Sequence, residues 1–536
     1  MPFSLLEQPW LPVIRKSGPA NIRPAQITEN LETDPVIAMN WPRADFRLAS
    51  LEFLIGLLVV ACPPETPRGW TKWWQNPPSP EVLAAAFAPL ADAFNLDGPG
   101  PRFMQDFEDI QAGVNDISGL LIEAPGEQTL KRNADLLIKR GQVEKLSRAA
   151  AAMALFTLQI YAPAGGAGNR TGLRGGGPLT TLAIPPGPDP LPLWHLLWAN
   201  TPVYTKPLPA ELPRLLPWLA STITSENNRK VERTSPHDPL AFWGVPRRIR
   251  LDFTKAEAGE VCDLTGNADE VLVRSWRQRP YGANYENFDH PLSPHYKQKP
   301  QDQIWLPVHP QPGGIGYRHF LGLIVTSEQE IGRLRVAKSI ATFREDRMRE
   351  CKTNGTMFWR VLAAGFDMDN MKARSFVEAE MPVYEPDNPE RREIQDEVVV
   401  KLIKGATEAA SILRSALRMA LFSDGAKPDT DTGLFNVARG RFWAETETAF
   451  YERAATAASA EEPQAVTKSF LQGISRVVRR LFDEHAPIVG SDHPARIAGA
   501  AKYLGSALSG YGKSGNALFD ALGLPRPEAK QKGKAA

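Results

Sequence analysis

Residues 394–420, IQDEVVVKLIKGATEAASILRSALRMA, carry the pattern that decides the C-terminal part of the fold. Apolar side chains recur there at steps of three and four residues, which places them on one face of an α-helix. The same pattern returns in three further segments, at residues 438–460, 463–485 and 494–509. Four amphipathic helices joined by short polar loops predict an up-and-down bundle over residues 386–525.

The chain before residue 386 has a different character, because prolines repeatedly interrupt its short apolar stretches. Helices are predicted at 47–61, 80–93 and 144–159, and short strands at 248–253, 270–276 and 320–326. We therefore expect an α+β protein, in which a large irregular mixed α/β domain over residues 1–385 precedes the four-helix bundle. The last residues, 526–536, are polar and are expected to form a disordered tail.

The composition is that of a globular protein whose charges nearly cancel. The 536 residues exceed what one hydrophobic core usually supports, so we expect two or three domains. The 62 Lys and Arg against 61 Asp and Glu leave a formal net charge of +1. A chain that gripped DNA or RNA alone would usually carry a basic excess, because phosphate neutralisation supplies most non-specific affinity. Any nucleic-acid role must therefore rest on local basic patches or on a larger complex.

Cysteine usage and the first residues indicate a reducing, cytoplasmic setting. Cys62, Cys262 and Cys351 are odd in number and far apart, so they predict neither a disulfide framework nor a CxxC zinc knuckle. The start MPFSLLEQPW lacks the basic and long apolar regions of a signal peptide. The apolar run at 51–62 is too short to span a bilayer and is predicted to be a buried helix.

No catalytic pattern stands out, since the sequence has no HExxH, GxSxG or EF-hand signature. His290 and His295 lie near Asp289, but without further spaced ligands we interpret this segment as a polar loop rather than a metal site. Residues 507–514, ALSGYGKS, resemble a phosphate-binding loop but have Ala507 at the first glycine position and follow a helical pattern. We interpret them as an interhelical or terminal loop, and we expect no metal, no cofactor and no catalytic residues.

Residues 162–178, APAGGAGNRTGLRGGGP, form a glycine segment in which seven glycines surround Arg170 and Arg174. Glycine allows the backbone to approach a ligand closely, and arginine offers planar donors to phosphates or base edges. Such a loop can enter a narrow groove. The alternative is a flexible linker. Strand character resumes at once in PLTTL, residues 178–182, and this favours the groove-entering loop.

Further basic islands are candidates for nucleic-acid contact. One island comprises Arg247, Arg248 and Arg250. Another is RSWRQRPY at 274–281, in which arginines alternate with aromatic residues. Such an arrangement suits phosphate contact together with base stacking. A solvated basic strand face explains these equally well. The segment LKRNADLLIKRG, residues 130–141, reads as a basic patch or as a solvated helix start or loop.

Four segments together resemble a known family. They occur in the family's order: LLEQPWLPV at 5–13, PRFMQ at 101–105, TGLRGGGPLTT at 171–181 and GFDMDNMKAR at 365–374. Each is weak alone, but four in order are specific. The chain resembles the CasA family, the large subunit of the type I-E CRISPR Cascade surveillance complex, whose C-terminal domain is a four-helix bundle.

This resemblance implies a non-catalytic subunit that recognises the protospacer-adjacent motif in double-stranded DNA, promotes duplex opening and R-loop formation, and recruits a helicase-nuclease. The implied partners are the other Cascade subunits, the guide crRNA and target DNA, and no membrane is involved. The implied residues are Ala164, Gly165, Gly166, Ala167, Gly168 and Arg170 in a glycine loop; Arg277 and Arg279 in a basic finger; Asp369, Asn370 and Met371 in a duplex wedge; and Lys131, Arg132, Asn133, Lys139 and Arg140 in a guide-proximal loop spanning residues 123–141.

The sequence departs from some members of this family around Cys262. Those members carry paired cysteines that resemble a zinc site, whereas CDLTGNADEV at 262–271 has a single cysteine, so no zinc is expected. Two alternatives stay open. One is a metal- or nucleotide-dependent nucleic-acid enzyme that uses the GKS at 512–514, and the other is a scaffold that contacts only proteins.

Overall fold

In the computed structural model the chain forms two compact units. The first comprises Met1–Gly314, Gly332–Cys351 and Val361–Glu380, and the second comprises Ile315–Ile331, Lys352–Arg360 and Met381–Ala536. The structure describes residues 2–133, 135, 140–163, 165–166, 168–234, 238–326, 333–351, 357–369, 372–386, 388–422 and 433–528. Helices and strands mix in the first unit and helices dominate the C-terminal region, so the predicted α+β fold is confirmed. The domain boundary at residue 385 stays a prediction.

The first unit combines short helices with several small sheets. Its helices are α1 (Ala44–Ala61), α2 (Pro67–Gln75), α3 (Pro80–Phe87), α4 (Glu127–Lys131), α5 (Arg148–Tyr161), α6 (Leu193–Asn200), α7 (Leu212–Leu215) and α9 (Lys338–Thr342). Its strands are β1 (Leu11–Arg15), β2 (Gly18–Ile22), β3 (Val36–Met39), β4 (Val114–Asp116), β5 (Leu146–Ser147), β6 (Thr180–Ile184), β7 (Val231–Glu232), β8 (Arg248–Lys255), β9 (Val271–Arg279), β10 (Tyr285–Glu286), β11 (His295–Tyr296), β12 (Leu306–Pro307) and β13 (Leu334–Arg335).

The core of the first unit is built around helix α1. Nearly every residue of α1 is buried, which is what a helix that is apolar on all sides requires. Its Phe53 meets five aromatic rings edge to face, at centroid distances of 5.4–5.9 Å, in the geometry that aromatic quadrupoles favour. These rings are Trp10, Phe94, Phe103, Phe156 and Trp243.

Strand β9 lies at the centre of the sheet that concerns the candidate site. The order is β4-β9-β5, and β8 pairs antiparallel with β9. Arg248 lies opposite Arg279, and Arg250 lies opposite Arg277. Arginines directly opposite each other repel, so this register needs acidic neighbours to neutralise it.

A long hairpin runs through both units. Strands β14 (Met357–Asp369) and β15 (Lys372–Glu385) pair with each other, and β14 also pairs with β6. The sequence predicted neither of these strands. The short apolar run in β14 has no periodicity that separates a strand from a helix, so the strands were missed.

The second unit is mainly helical. Its helices are α8 (Phe320–Leu323), α10 (Pro389–Leu421), α11 (Gly433–Ala457), α12 (Pro463–His485), α13 (Pro494–Leu508) and α14 (Gly512–Leu522). Helix α10 packs against the four helices that follow it. Gly405 makes the close approach of α14 possible, because a Cβ at this position would lie 2.3 Å from Leu522 Cδ2. The four predicted helices are present, and α14 is an additional helix that begins inside the segment interpreted as a loop.

Several predicted elements of the chain differ from the structure. Residues 320–326 were predicted as a strand but comprise the short α8 and a tight turn: Leu321 and Gly322 leave the helical conformation, and Gly322, with φ +85°, donates its N–H to Val325 O. The helix predicted at 80–93 ends at Phe87 and continues as a 3-10 segment that contains Pro89. The helix predicted at 144–159 begins only at Arg148, where Ser147 caps it by accepting from Ala150 N–H. The predicted tail is described only to residue 528.

Candidate nucleic-acid interface

The glycine segment forms a loop that leaves and rejoins the C-terminal end of α5. Gly172 N–H donates to Ala162 O at 2.9 Å, and Gly177 N–H donates to Tyr161 O at 3.0 Å. These bonds satisfy carbonyls that a helix end would otherwise leave without partners. The described residues of the segment are therefore held in a loop with a closed base, which argues against the flexible linker. Ala164 and Ala167 lie outside the described residues.

The tip of the loop meets the end of β9. Tyr281 N–H donates to Gly168 O at 2.9 Å, and Gln278 Nε2 donates to Asn169 Oδ1 at 2.5 Å. Gly168 has φ +79°, and a Cβ there would lie 2.9 Å from the Tyr281 ring. Glycine is therefore required at this position by both conformation and space. Gly166, by contrast, is exposed and has open space around it. The structure thus brings the glycine loop and the basic finger together.

The two arginines of the basic finger differ in their surroundings. Arg277 Nε lies 3.1 Å from Asp252 Oδ1, and its Nη1 donates to Ala112 O at 3.2 Å. Arg279 lies opposite Arg248, whose charge Asp106 neutralises at 2.6 Å. Among the described residues no side chain pairs with Arg279, which is half-buried. Its positive charge is therefore the more available of the two.

The trailing end of the glycine segment packs on the hairpin. Gly177 has φ +63°, and a Cβ at this position would lie 2.8 Å from Met368 Cγ. Asp369 follows as the last residue of β14, and Asn370 and Met371 lie outside the described residues. Arg374 on β15 pairs with Asp367 at 2.6 Å. The trailing end of the glycine segment and Met368, the residue before the proposed wedge, are thus neighbours in one compact unit.

The guide-proximal loop is fixed at its start and exposed further along. Glu123 pairs with Arg43 at 2.5 Å, and this anchors the first residue of the loop. Lys131 ends α4, and Arg132 and Asn133 follow as exposed residues. Arg140 pairs with Asp135 and also donates to Asn133 Oδ1 at 3.1 Å. Lys139 lies outside the described residues.

Some arginines singled out in the sequence are internal. Arg174 is buried against Glu52, Arg248 against Asp106, and Arg250 against Asp109 and the Asp106 carbonyl. Trp276 is also buried and donates to Asp116 O, so it offers no stacking surface. Burial therefore argues against direct DNA contact by these side chains, and for Arg248, Arg250 and Trp276 it argues equally against the alternative of a solvated strand face. Their partners lie between 122 and 160 residues away in the sequence, where no local pattern indicates them.

Beside the loop lie Ser225, which the sequence did not indicate, and Tyr281, which it indicated only as part of the basic and aromatic island at 274–281. Tyr281 is 42% exposed and has φ +62°, an unusual conformation for a residue other than glycine. Its carbonyl accepts from Ser225 N–H at 3.0 Å, and Ser225 Oγ accepts from Arg170 Nε at 2.8 Å. Ser225 therefore joins the loop to the end of β9. It lies 55 residues from Arg170, and its own sequence gives no signal of this role.

The residues considered for metal or phosphate binding, His290, His295 and the GKS sequence at 512–514, have the surroundings of structural residues and not of a ligand site. His290 and His295 are buried, so the segment 289–296 is not a polar surface loop. Burial lowers the pKa of both histidines. The positive charge of Arg174 lowers the pKa of His290 further, and that of Arg335 does the same for His295. Within the described residues no three His, Cys, Asp or Glu side chains group in a way that could hold a metal ion. Ser514 of the GKS sequence bonds Tyr503 at 2.9 Å.

No helix in the described part of the chain has the length and apolar character needed to cross a membrane.

Comparison with known proteins gives one family and one fold. The family model for CRISPR-associated protein Cse1 matches residues 4–481. A CRISPR-associated protein from Thermus thermophilus is similar in structure, with TM-score 0.70 and 16% identity, over 96% of this chain and 100% of that one. Cse1 from Thermobifida fusca gives TM-score 0.68 and 18% identity, over 97% and 98%. A chain of a CRISPR RNA-guided surveillance complex gives 0.65 and 14%, over 95% and 99%. At these identities the structural likeness shows the fold alone.

Proposed function

The chain belongs to the CRISPR-associated Cse1 family, also called CasA, and from this premise we propose that it is the large, non-catalytic subunit of a type I-E Cascade. In this proposal it recognises the protospacer-adjacent motif in double-stranded DNA, promotes duplex opening and R-loop formation with the guide crRNA, and recruits the helicase-nuclease. Its setting is the cytoplasm, and its partners are the other Cascade subunits.

The observation that carries the proposal is the meeting of three features in one unit. The glycine segment contacts both other features: Gly168 bonds Tyr281, which closely follows Arg279 at the end of β9, and Gly177 approaches Met368, the residue before Asp369 near the turn of the hairpin. The minor groove is narrow and presents mainly acceptors, so a loop with little side chain and a nearby arginine suit it. A hairpin whose described strand packs on the same glycine segment is suited to hold a wedge that separates the adjacent base pairs.

The energetic requirement of opening fits a subunit that acts within a larger complex. Unstacking one base step costs on the order of a few kcal/mol, which guide pairing and backbone contacts offset. The chain has a formal net charge of only +1, so most of the phosphate neutralisation must come from the crRNA-bound partners. The guide-proximal loop, with exposed Arg132, is the region proposed to lie near the guide and target.

The proposal is tested by the affinity of the assembled complex for short duplexes with and without a candidate adjacent motif. Gly166→Leu places a bulky side chain at the exposed loop tip without a clash inside the protein. We expect it to lower the preference for the motif by on the order of tenfold or more, because it blocks entry into the groove. Gly440→Leu is the matched control, since Gly440 is an exposed glycine with open space on α11.

Equal motif preference in the wild type, Gly166→Leu and Gly440→Leu complexes would overturn the assignment of the loop. A wild type complex that ignores the motif would favour the scaffold alternative. Turnover of nucleic acid or ATP by the purified chain with Mg²⁺ or Mn²⁺ would favour the enzyme alternative.

A further inference from the structure

The neck of the glycine loop is closed by one guanidinium. Arg247 Nη2 donates to Pro163 O at 2.6 Å, and Arg247 Nε donates to Arg170 O at 2.9 Å. Pro163 is on the outgoing arm of the loop and Arg170 is on the returning arm. The planar guanidinium of one arginine, with donors on separate nitrogens, therefore fixes the distance between the two arms. A lysine cannot do this in the same way, because its donors all lie on one nitrogen.

The main chain of Arg247 is itself held by the helix that carries the loop. Gln159 Oε1 on α5 accepts from Arg247 N–H at 3.0 Å, and Gln159 Nε2 donates to Arg247 O at 2.9 Å. Gln159 is fully buried. Because the buried side-chain amide of Gln159 bonds both the N–H and the C=O of Arg247, the main chain of Arg247 has little freedom to move. The clamp is thus built on a fixed base.

The charge of Arg247 is not neutralised within the described residues. Its side chain is 9% exposed, and no carboxylate among those residues pairs with it. Burial alone lowers its pKa to about 10, so it keeps its charge at neutral pH. Its Nη1 makes no bond with the described residues and lies 3.3 Å from where a Cβ at Gly165 would be. A buried cation without a counter-ion is costly and creates a positive potential beneath the loop.

We propose that Arg247 is a positioning residue for recognition of the duplex. It sets the spacing of the loop arms, so that Gly165, Gly166 and Gly168 keep the narrow profile that a minor groove admits, and its charge favours the adjacent backbone phosphate. This role rests on the proposed function of the loop.

A neighbouring arginine provides a control for a merely structural role. Arg248 is as buried as Arg247, at 8% exposure, but its partner is the Asp106 carboxylate and it bonds no carbonyl of the described loop residues. Arg247→Lys and Arg248→Lys both keep the charge and remove the guanidinium fork. A difference between the two variants therefore reports on the loop and not on the loss of a buried arginine in general.

The first measurement is hydrogen exchange of the full purified chain. The amides to follow are those of Gly165 and Asn169, which bond within the loop, and of Tyr281, which bonds to it. In Arg247→Lys we expect these amides to exchange about tenfold faster, as the loss of one charged hydrogen bond allows. In Arg248→Lys they should be unchanged. Equal exchange in the two variants would overturn the clamp.

The second measurement is the preference of the assembled complex for duplexes with the adjacent motif. Arg247→Lys should reduce this preference about tenfold, and Arg248→Lys should keep it within about twofold. Faster exchange with unchanged preference would overturn the positioning role. A wild type complex without any preference would refute the proposed function, and the exchange data would still decide the clamp. Arg247→Gln, with a shorter neutral side chain, serves as the second variant if Arg247→Lys does not fold.

Discussion

Arg174 and Glu52 form an ion pair in which each side chain is only 2% exposed and Nη2 lies 2.5 Å from Oε2. The other Glu52 oxygen accepts from Tyr161 Oη at 2.8 Å and from Thr180 Oγ1 at 2.5 Å. The pair joins the core helix α1 to the glycine segment and to β6. Both carboxylate oxygens of Glu52 thus have partners, which is the condition under which a buried ion pair is tolerated.

Removal of one partner of this pair should destabilise the first unit. In Arg174→Met the Glu52 carboxylate would stay buried without its cation, and we expect the free energy of unfolding to fall by about 3–5 kcal/mol. Denaturant unfolding of the purified chain measures this change. Arg526→Met is the control, because its pair with Asp520 is solvated and its removal should leave stability unchanged. A similar small effect of both variants would contradict the structural role of the pair.

The two glycines of the loop tip should differ in their tolerance of alanine. Gly168 has a positive φ, so Gly168→Ala should cost roughly 1–2 kcal/mol of unfolding free energy. It should also displace the Tyr281 ring. Gly166→Ala should have no measurable effect on stability, because φ at Gly166 is outside the left-handed region and the space around it is open. Equal destabilisation by the two substitutions would contradict the left-handed conformation of Gly168.

The basic finger should contribute to DNA affinity mainly through Arg279. Arg279→Ala should reduce the slope of log K against log salt by about 1, as the loss of one phosphate contact does. Arg277→Ala should change the slope less, because Asp252 already neutralises Arg277. Titrations of the assembled complex at several salt concentrations measure both slopes. The reverse order of effects would count against this assignment.

The buried His290 should make stability dependent on pH. Burial, with the Arg174 charge, lowers its pKa well below the ordinary value near 6.5. The folded chain therefore keeps this ring neutral, whereas the unfolded chain takes up a proton once the pH falls below about 6.5. Stability from this group is present above that pH and is lost as the pH falls below it.

His290→Asn tests this linkage. The asparagine keeps an acceptor for Leu292 N–H, which now bonds His290 Nδ1 at 3.2 Å, but it cannot titrate. Unfolding free energies measured between about pH 5 and pH 8 should fall less steeply towards acid in the variant. Identical pH profiles would show that His290 does not carry the dependence.

The sequence predicts the parts of the fold that local patterns determine. The apolar steps between Ile394 and Ala420 depend only on neighbouring turns of one helix, and the helix is present. The strands that contain Arg250 and Trp276 were also predicted, because their signal too lies in neighbouring residues of the sequence. The turn at Gly322 was not, since an apolar run does not reveal a glycine with positive φ.

The candidate site was only partly predictable, because its details depend on long-range contacts. The glycine segment is visible in the sequence through its composition. The burial of Arg174 is not, because Glu52 lies 122 residues away, and the role of Arg247 depends on carbonyls of Pro163 and Arg170 that any residue would present. Side-chain type indicates what a residue can bind, and only the fold determines whether it faces the solvent.

The most direct test of the central claim is a disulfide cross-link between the loop tip and the minor groove. A cysteine at Gly166, in a chain with Cys62 and Cys351 replaced by serine, would be presented with a duplex whose guanine N2, in the minor groove, carries a tether activated as a mixed disulfide; attack by the cysteine thiolate forms the cross-link and releases the small thiol. We predict efficient cross-linking in the assembled complex when the tether is within the adjacent motif, and little when it is about ten base pairs away, roughly one turn of the duplex. Equal yields at the two positions, or yields no higher than those of Gly440→Cys, would contradict the claim that this loop reads the duplex.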